Sequence, residues 1–348
     1  MENAKSKKII SLVLYFLNVA FFAVFLVLAI LGKKFAIFIT LGFICHYFFS
    51  AFFHELGHFI VGKICKMVFV EGKVLFFKLY RKNGKLKFGF CSPIESGEIS
   101  MVSTVTENAG SDLIKLTIGG NLFVFLYLII CVLLGCLIGG NAFYFFLVAS
   151  EITAYTLIIN LIPLADNGDG ALLFGLLKGK EKYKSAMSLA VIQSYLYNGF
   201  SPAQIPEQAI YVSCGEYSQA VELIKLLKLI DSSKMERAYV YSKDLTTRTS
   251  GTVLERVKKE KFFLAVIMGL KEEVDKEKEE VLNSLTENSF TDMRINYYYR
   301  VYTKETEWAK LIKNQCNKLK NAEFFKGLAE MEEKLINFEK QKIEYSEN

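Results

Sequence analysis

Histidine, proline and tryptophan are scarce in this chain of 348 residues, which contains three, four and one of them. The histidines are His46, His54 and His58, so a histidine-based site has few residues to draw on. The seven cysteines are scattered and form no C-x-x-C pair. An odd number without paired spacing argues against a disulfide framework and against a cysteine-ligated zinc site.

Charged residues are nearly absent from three long stretches, 9–32, 35–62 and 113–164, whereas the C-terminal half is dense in Lys and Glu. Apolar runs of about 20 residues or more are long enough to span a bilayer. The net charge of +6 is modest and comes from basic loops beside these runs. We interpret it as a signal of membrane topology, and no nucleic-acid partner is expected.

The apolar stretches predict a polytopic membrane protein with about four spans, at 9–31, 35–64, 113–138 and 142–164. The first run is too long for a signal-peptide core, so we expect it to be retained as a span. Basic residues place the segment 66–112 and both termini in the cytoplasm, although the pair Lys33-Lys34 opposes this orientation. The expected location is the cell membrane, and the Lys-rich composition indicates a bacterial plasma membrane.

The fold is predicted to be mainly α: a membrane helical bundle with a small β-hairpin insert and a C-terminal soluble α-helical domain. Within the insert at about 66–103, the runs 74–80 and 86–90 flank Asn83-Gly84, which is the strongest short hairpin signal. A further helical pair with a tetratricopeptide-like turn is predicted at 209–230. The predicted divisions are a tail and first span at 1–34, a core at 35–178, a linker at 179–201 and a helical domain at 202–348.

The second apolar stretch contains His54-Glu55-Leu56-Gly57-His58, which is an H-E-x-x-H motif. On a helix, the two histidines lie one turn apart on one face and can bind one zinc ion, while Glu55 can act as a general base. The motif also occurs by chance in soluble helices. Inside a membrane span a functional role is favoured, because each charged group there costs about 2.5–3.5 kcal/mol. His46 is predicted to be a buried, hydrogen-bonded residue and not a ligand.

A zinc ion held by two histidines needs a third protein ligand if one position is to stay open for water. The candidates follow Asn160-Leu161-Ile162-Pro163 at the cytoplasmic end of the fourth predicted span. Pro163 interrupts the helix, and the carbonyls it frees are tolerated in a membrane protein where they line a cavity. Either Asp166 or Asp169, which precedes Gly170, supplies the missing carboxylate.

Together, H-E-L-G-H on one span and N-x-x-P with D-G two spans later resemble the site-2 protease family of intramembrane zinc metalloproteases. The resemblance covers roughly 35–178 and leaves out the C-terminal domain. It implies that His54, His58 and Asp169 bind one Zn²⁺ ion, that Glu55 is catalytic, and that Asn160 helps to hold the substrate or the transition state. Asp166 remains the alternative ligand, because Asp169 lies one residue further from Asn160 than is usual in the family.

The resemblance implies an endopeptidase that cleaves a peptide bond within or next to a transmembrane segment, by Glu55-assisted attack of zinc-bound water. Its substrates would be membrane-anchored proteins or peptides, such as anti-sigma factors, pro-proteins or remnant signal peptides. The third span departs from the family, since Ile118-Gly119-Gly120-Asn121 lacks the usual Gly-Pro. An edge strand of the insert could pair with an unwound substrate by β-augmentation, and an ordinary membrane-surface hairpin is the alternative.

Two other functions are compatible with this sequence. One is a catalytically inactive relative that acts as a membrane scaffold or assembly subunit through its soluble helical domain, which could bind a protein partner. The other is a subunit of a membrane transport system. The presence of Glu55 argues against an inactive relative, because a site without catalysis has no need of a base.

Overall fold

The computed structural model describes residues 2–82, 85–92, 97–162, 168–287, 289–320 and 323–346. This part of the chain is mainly helical and carries one small antiparallel sheet, as predicted. The helices are α1 (Glu2–Ile30), α2 (Lys34–Ile64), α3 (Ala109–Ile138), α4 (Gly140–Leu161), α5 (Asp169–Leu177), α6 (Glu181–Tyr197), α7 (Glu216–Asp231), α8 (Met235–Arg248), α9 (Gly251–Ile267), α10 (Lys271–Ser284), α11 (Phe290–Tyr302), α12 (Thr306–Leu319) and α13 (Lys326–Ser346). The strands are β1 (Val68–Val74), β2 (Phe77–Lys82), β3 (Lys85–Phe90) and β4 (Glu98–Val102).

The chain forms two compact units. The first unit comprises 1–80, 87–103 and 110–180, and the second comprises 81–86, 104–109 and 181–348. The segment 179–201, predicted to be a linker, contains α6 in the structure. Ile192 and Leu196 of this helix are buried in the core of the second unit, so this stretch is part of a folded domain.

Three helical segments are long and apolar enough to cross a membrane: Lys34–Ile64, Thr106–Ile138 and Gly140–Leu161. The apolar helical segment identified in α1, Phe16–Ile30, is shorter than these three. The three segments are consistent with a membrane protein. The predicted four-span arrangement and its orientation stay predictions.

Glycines bring the long helices of the first unit into close contact. A methyl group at Gly42 of α2 would lie 2.9 Å from the carbonyl oxygen of Phe145 in α4. A methyl group at Gly119 of α3 would lie 2.8 Å from the carbonyl oxygen of Gly57 in α2. Small residues allow such backbone approaches between helices in a membrane. The α2–α4 contact also includes a hydrogen bond between the hydroxyls of Ser50 and Thr156 at 3.2 Å.

The insert between α2 and α3 is a four-stranded antiparallel sheet with strand order β3-β2-β1-β4. The predicted hairpin is confirmed in β2 and β3, while Asn83 and Gly84 lie outside the described residues. The prediction was wrong in assigning Val74 to the first hairpin strand, because Val74 ends β1 and pairs with Phe77. Leu75 between them has a φ of 58°, which makes a second tight turn.

The second unit has a single large apolar core that is built by α6 to α13. The helix predicted at the start of 209–230 is absent, since only Glu207–Ala209 forms a short 3-10 helix and α7 begins at Glu216. The apolar run 171–177, which belongs to the first unit, lies within α5. A tetratricopeptide-like repeat in the second unit stays a prediction.

Candidate metal centre

The H-E-x-x-H motif lies in the last three turns of α2. His54 and His58 are each 7% exposed and Glu55 is 4% exposed. The four-residue spacing places both imidazoles on one side of the helix, with their ring centroids 4.7 Å apart. Burial of three ionisable groups in an apolar helix is costly unless they are partnered or bind an ion.

The third residue that could bind a metal lies at the start of α5. Asp169 is the first residue of this helix, and Gly168 precedes it in an extended conformation. Gly170 lies against the end of α4, where a methyl group would be 2.7 Å from the carbonyl oxygen of Asn160 and closer still to that of Leu161. The absence of a side chain at Gly170 therefore lets α5 start close to α4, which fixes the position of Asp169.

The three predicted ligands converge on one point. Oδ2 of Asp169 lies 2.8 Å from Nε2 of His54 and 3.0 Å from Nε2 of His58. The two Nε2 atoms are 3.1 Å apart. One possible ligand atom from each of the three residues lies within 4.8 Å of the other two. Among the described residues, His54, His58 and Asp169 form the group of His, Cys, Asp or Glu side chains that could hold a metal ion.

Helix α3 completes the surroundings of the two imidazoles. Nδ1 of His58 donates a hydrogen bond of 2.7 Å to the carbonyl oxygen of Leu116, which keeps the proton on Nδ1 and leaves Nε2 free to bind a metal. A methyl group at Gly120 would lie 2.5 Å from Nε2 of His58 and 2.7 Å from Cε1 of His54. Gly120 therefore leaves the space that an ion and its open coordination position need.

The proximity of Gly120 to the imidazoles is not predictable from the sequence, in which Gly120 stands only in the departure at 118–121. The adjacent Asn121 is 4% exposed, and both polar atoms of its amide have no hydrogen-bond partner among the described residues. Buried amides are normally satisfied. An unsatisfied amide in the same turn of α3 as Gly120 marks a place where water or a peptide group can bind.

Glu55 lies beside the ligands and at the edge of the sheet. A methyl group at Gly97, the residue before β4, would be 3.6 Å from Oε1 of Glu55. The other carboxylate oxygen, Oε2, is buried without a hydrogen-bond partner among the described residues. A buried carboxylate with a free oxygen is suited to accept a proton from a bound water.

Asp169 is held in its charged form. Burial by itself raises the pKa of this carboxyl, but contact with the rings of His54 and His58 outweighs burial and holds the pKa well below its usual range. A carboxylate that stays ionised is the form that binds a metal.

Two imidazoles and one carboxylate are a donor set that suits zinc, and three protein ligands leave one position for water or substrate. Nδ1 of His54 has no partner among the described residues.

The predicted rival ligand Asp166 and the predicted helix break at Pro163 lie outside the described residues. Asn160 is the residue before the last residue of α4. Its carbonyl oxygen lies close to Gly170. A role of its side-chain amide in substrate binding stays a prediction.

His46 is buried two turns before His54, and its Nδ1 forms a hydrogen bond with the hydroxyl of Tyr127 in α3. The metal-binding group consists of His54, His58 and Asp169 and does not include His46. The hydrogen bond joins α2 to α3 inside the apolar part of the first unit.

Comparisons of the chain with protein-family models, with curated proteins and with solved structures find no match. Support for a function therefore comes from the geometry of this site.

Proposed function

We propose that this protein is an intramembrane zinc endopeptidase of the site-2 protease type. The observation that carries the proposal is the convergence of His54 and His58 with Asp169, which follows them by more than 100 residues in sequence, so that three ligand atoms lie within 4.8 Å of one another. A structural zinc site is closed by four protein ligands, whereas catalytic sites keep three and an open position. The three candidate membrane spans support a location of this site in a bilayer.

The residues of the site divide the chemical work. Zinc would supply a Lewis acid that polarises water and the scissile carbonyl group. Glu55 accepts the proton of the attacking water and transfers it to the nitrogen of the leaving amine. The carbonyl of Leu116 orients His58, and Gly120 keeps the space above both imidazoles free. Because Glu55 and the histidines are less than 10% exposed, bulk water is excluded and the charges at the site act strongly.

The edge strand β4 is the candidate strand for substrate binding. The outer strands of the sheet are β3 and β4, and β4 begins next to Gly97, where a methyl group would lie 3.6 Å from Oε1 of Glu55. A helical substrate must be unwound before cleavage, because its peptide bonds are engaged in its own hydrogen bonds. An extended segment that pairs with β4 would run past Glu55. The amides of Asn121 and Asn160 are further candidates to bind its peptide groups.

The substrate is a membrane-anchored protein or peptide, and the protein itself is a multi-pass protein of the cell membrane with both termini in the cytoplasm. The second unit, with its independent core, is a candidate site for a protein partner or for regulation of the first unit.

The test uses Glu55→Gln, which removes the base and leaves the three ligands. We expect purified wild type and Glu55→Gln to contain about one zinc ion per chain, as expected for three intact ligands. Membrane peptides released in cells with wild type should be missing in cells with Glu55→Gln, and their precursors should accumulate. Quantitative proteomics of the membrane fraction measures both.

Ligand variants serve as the matched controls. Asp169→Ala and His54→Ala should lose zinc, whereas Asp166→Ala should keep it. Loss of zinc in Asp166→Ala with retention in Asp169→Ala would move the third ligand to Asp166. A wild-type protein that binds zinc but leaves the membrane peptides unchanged would favour the alternative of an inactive scaffold, and a wild-type protein without zinc would end the proposal.

A further inference from the structure

The sheet of the first unit has one polar and one apolar face. In the register of β1, Glu71 pairs with Tyr80 and Lys73 pairs with Lys78 and with Glu98. Paired residues point to the same side of a sheet. Lys73 and Lys78 both form ion pairs with Glu71, so these side chains make up the polar face.

The opposite face is apolar across the whole sheet. A methyl group at Gly72 would lie 3.1 Å from the ring of Phe69 and 3.5 Å from Ile99 of β4, which places all three on this face. Gly72 pairs with Leu79, and Val74 pairs with Phe77. Phe88 and Phe90 of β3 contact Phe77, with ring centroids 5.6 and 6.0 Å apart, so they lie on the same face.

Helices cover only half of this apolar face. Phe69 and Met101 pack in a buried cluster with Leu116 of α3, and Phe59 near the end of α2 packs against it. The other half has no such cover: Phe77, Phe88 and Phe90 are 49%, 61% and 75% exposed. We name the exposed half, which consists of Phe77, Leu79, Phe88 and Phe90, the aromatic patch.

The size of the aromatic patch and its continuity mark it as a candidate interaction surface. A phenylalanine side chain buries about 150–250 Å² when covered, so the three exposed rings leave roughly 300–450 Å² open by these fractions. The largest apolar patch of a typical soluble monomer is of this size and is often an interaction site. The ring contacts hold the three phenylalanines together, so they are not scattered surface residues.

We propose that the aromatic patch docks into the anionic lipid surface that surrounds the membrane spans. The covered half of the same face packs against α2 and α3, which both carry candidate spans. The aromatic patch is therefore the lateral continuation of the surface that contacts these helices. Beyond the helices, the neighbour at this level is lipid, and aromatic side chains are the residues that favour the membrane interface.

The charge of the hairpin selects the kind of lipid. Residues 72–92 include six basic residues and no acidic residue: Lys73, Lys78, Arg81, Lys82, Lys85 and Lys87. Lys87 and Gly89 are two residues apart in β3 and therefore face the same side of the sheet. A methyl group at Gly89 would lie 3.5 Å from the ring of Tyr80 on the polar face. Lys87 therefore points away from the aromatic patch. An amphipathic element buries its apolar face by about 5–10 Å. The lysines then remain within about one Debye length of the lipid phosphates, where each adds attraction to anionic lipids.

The experiment places a single tryptophan in the aromatic patch of the full-length chain. The one native tryptophan, Trp308, is first replaced (Trp308→Phe), and Phe88→Trp then reports on the patch. The protein is reconstituted in nanodiscs of phosphatidylcholine, with or without phosphatidylglycerol, that contain brominated lipids. We expect a blue-shifted emission and about twofold quenching by shallow bromines, as for a side chain at the headgroup boundary, with stronger quenching in the presence of phosphatidylglycerol.

A matched reporter on the polar face is the control. Tyr80→Trp in the same background should be quenched by acrylamide from the water and not by the brominated lipids. Lys85→Gln combined with Lys87→Gln should reduce the difference between the two lipid compositions, because two of the six basic residues are then neutral. Adding Glu55→Gln should change none of these signals, because they depend on neither zinc nor cleavage, which separates this inference from the proposed function.

Three results would overturn the inference. Equal acrylamide access of the reporters at 80 and 88 without bromine quenching would show that the patch stays in water. Protection at 88 that requires two copies per nanodisc would assign the patch to a second copy of the chain. Protection that appears only with an added substrate segment would assign it to substrate binding.

Discussion

At Gly120 a missing side chain keeps the metal centre accessible. The position faces both imidazoles, and a methyl group there would lie 2.5 Å from the ligand atom of His58. We predict that Gly120→Ala lowers zinc affinity by about 10-fold or more, because the methyl group displaces the imidazoles, and disturbing the orientation of ligands has effects of this size. Competition with a fluorescent chelator on the purified protein measures this affinity.

Gly135 offers the matched control, because it lies on the same helix and faces Phe146, where a methyl group would be 3.3 Å away. Gly135→Ala should keep the zinc affinity of the wild type. Unchanged zinc affinity in Gly120→Ala would show that the ion does not occupy the space between Gly120 and the imidazoles.

The residues of the site differ in how well the sequence can reveal them. His54, Glu55 and His58 are predictable because a four-residue spacing has a direct meaning on a helix. The position of Asp169 beside the two histidines depends on how α5 packs against α4, and no spacing in the sequence predicts that packing. Gly120 and the carbonyl of Leu116 carry no distinctive functional group, so only the packing of α3 against α2 reveals their role.

The position of α5 depends on its contact with the end of α4. Gly170 approaches the carbonyl oxygens of Asn160 and Leu161 so closely that a methyl group has no room. We predict that Gly170→Ala displaces the start of α5 and with it Asp169, and that the protein loses zinc although all three ligands are present. Zinc content per chain, measured by elemental analysis after gel filtration, tests this.

Gly179 ends the same helix and controls for a general weakening of α5. It has a φ of +61° and nothing lies within 4 Å of a methyl group placed there, so alanine strains the helix end by about 1 kcal/mol without a clash. Gly179→Ala should retain zinc. Equal zinc content in both variants would contradict a positioning role for the contact at Gly170.

Secondary structure was predictable where local chemistry determines it. Asn83-Gly84 between two apolar runs indicated the hairpin of β2 and β3. Helix α6 was missed because three of its seven buried residues are serines, which hide the apolar period. The hydroxyls of Ser185 and Ser188 bond to the main chain of 209–213, and this long-range satisfaction is not visible in the sequence.

At the scale of the whole molecule, the second unit has an apolar core of its own, in which a buried ionic network joins α9, α11 and α13. Arg294 is fully buried and donates two hydrogen bonds of 2.9 and 2.8 Å to Glu260, and it also contacts Glu332. Arg256 pairs with both carboxylates at 3.0 and 3.3 Å. Removing one member leaves buried charge without a partner, which costs about 3–5 kcal/mol.

We therefore predict that Arg294→Met lowers the protection of α9, α11 and α13 against amide hydrogen exchange at neutral pH. The zinc content of the first unit should not change. Arg300→Met is the control on the same helix, because Arg300 is 34% exposed and pairs with the similarly exposed Glu305, and such pairs contribute little. Equal protection in Arg294→Met and Arg300→Met would contradict the role of the network.

Acid provides a second measurement on the same network in the unmodified chain. Burial by itself raises the pKa of Glu260, but the adjacent guanidinium groups of Arg294 and Arg256 outweigh it and keep the pKa below its usual range. A carboxyl with a lowered pKa contributes stability that is complete above its unfolded pKa of about 4.3 and is lost as the pH falls through the folded value. Unfolding of the second unit, followed by amide hydrogen exchange of α9, α11 and α13, should therefore begin only below about pH 4. In Glu260→Gln the same transition should be less steep with pH, because one titrating group is gone.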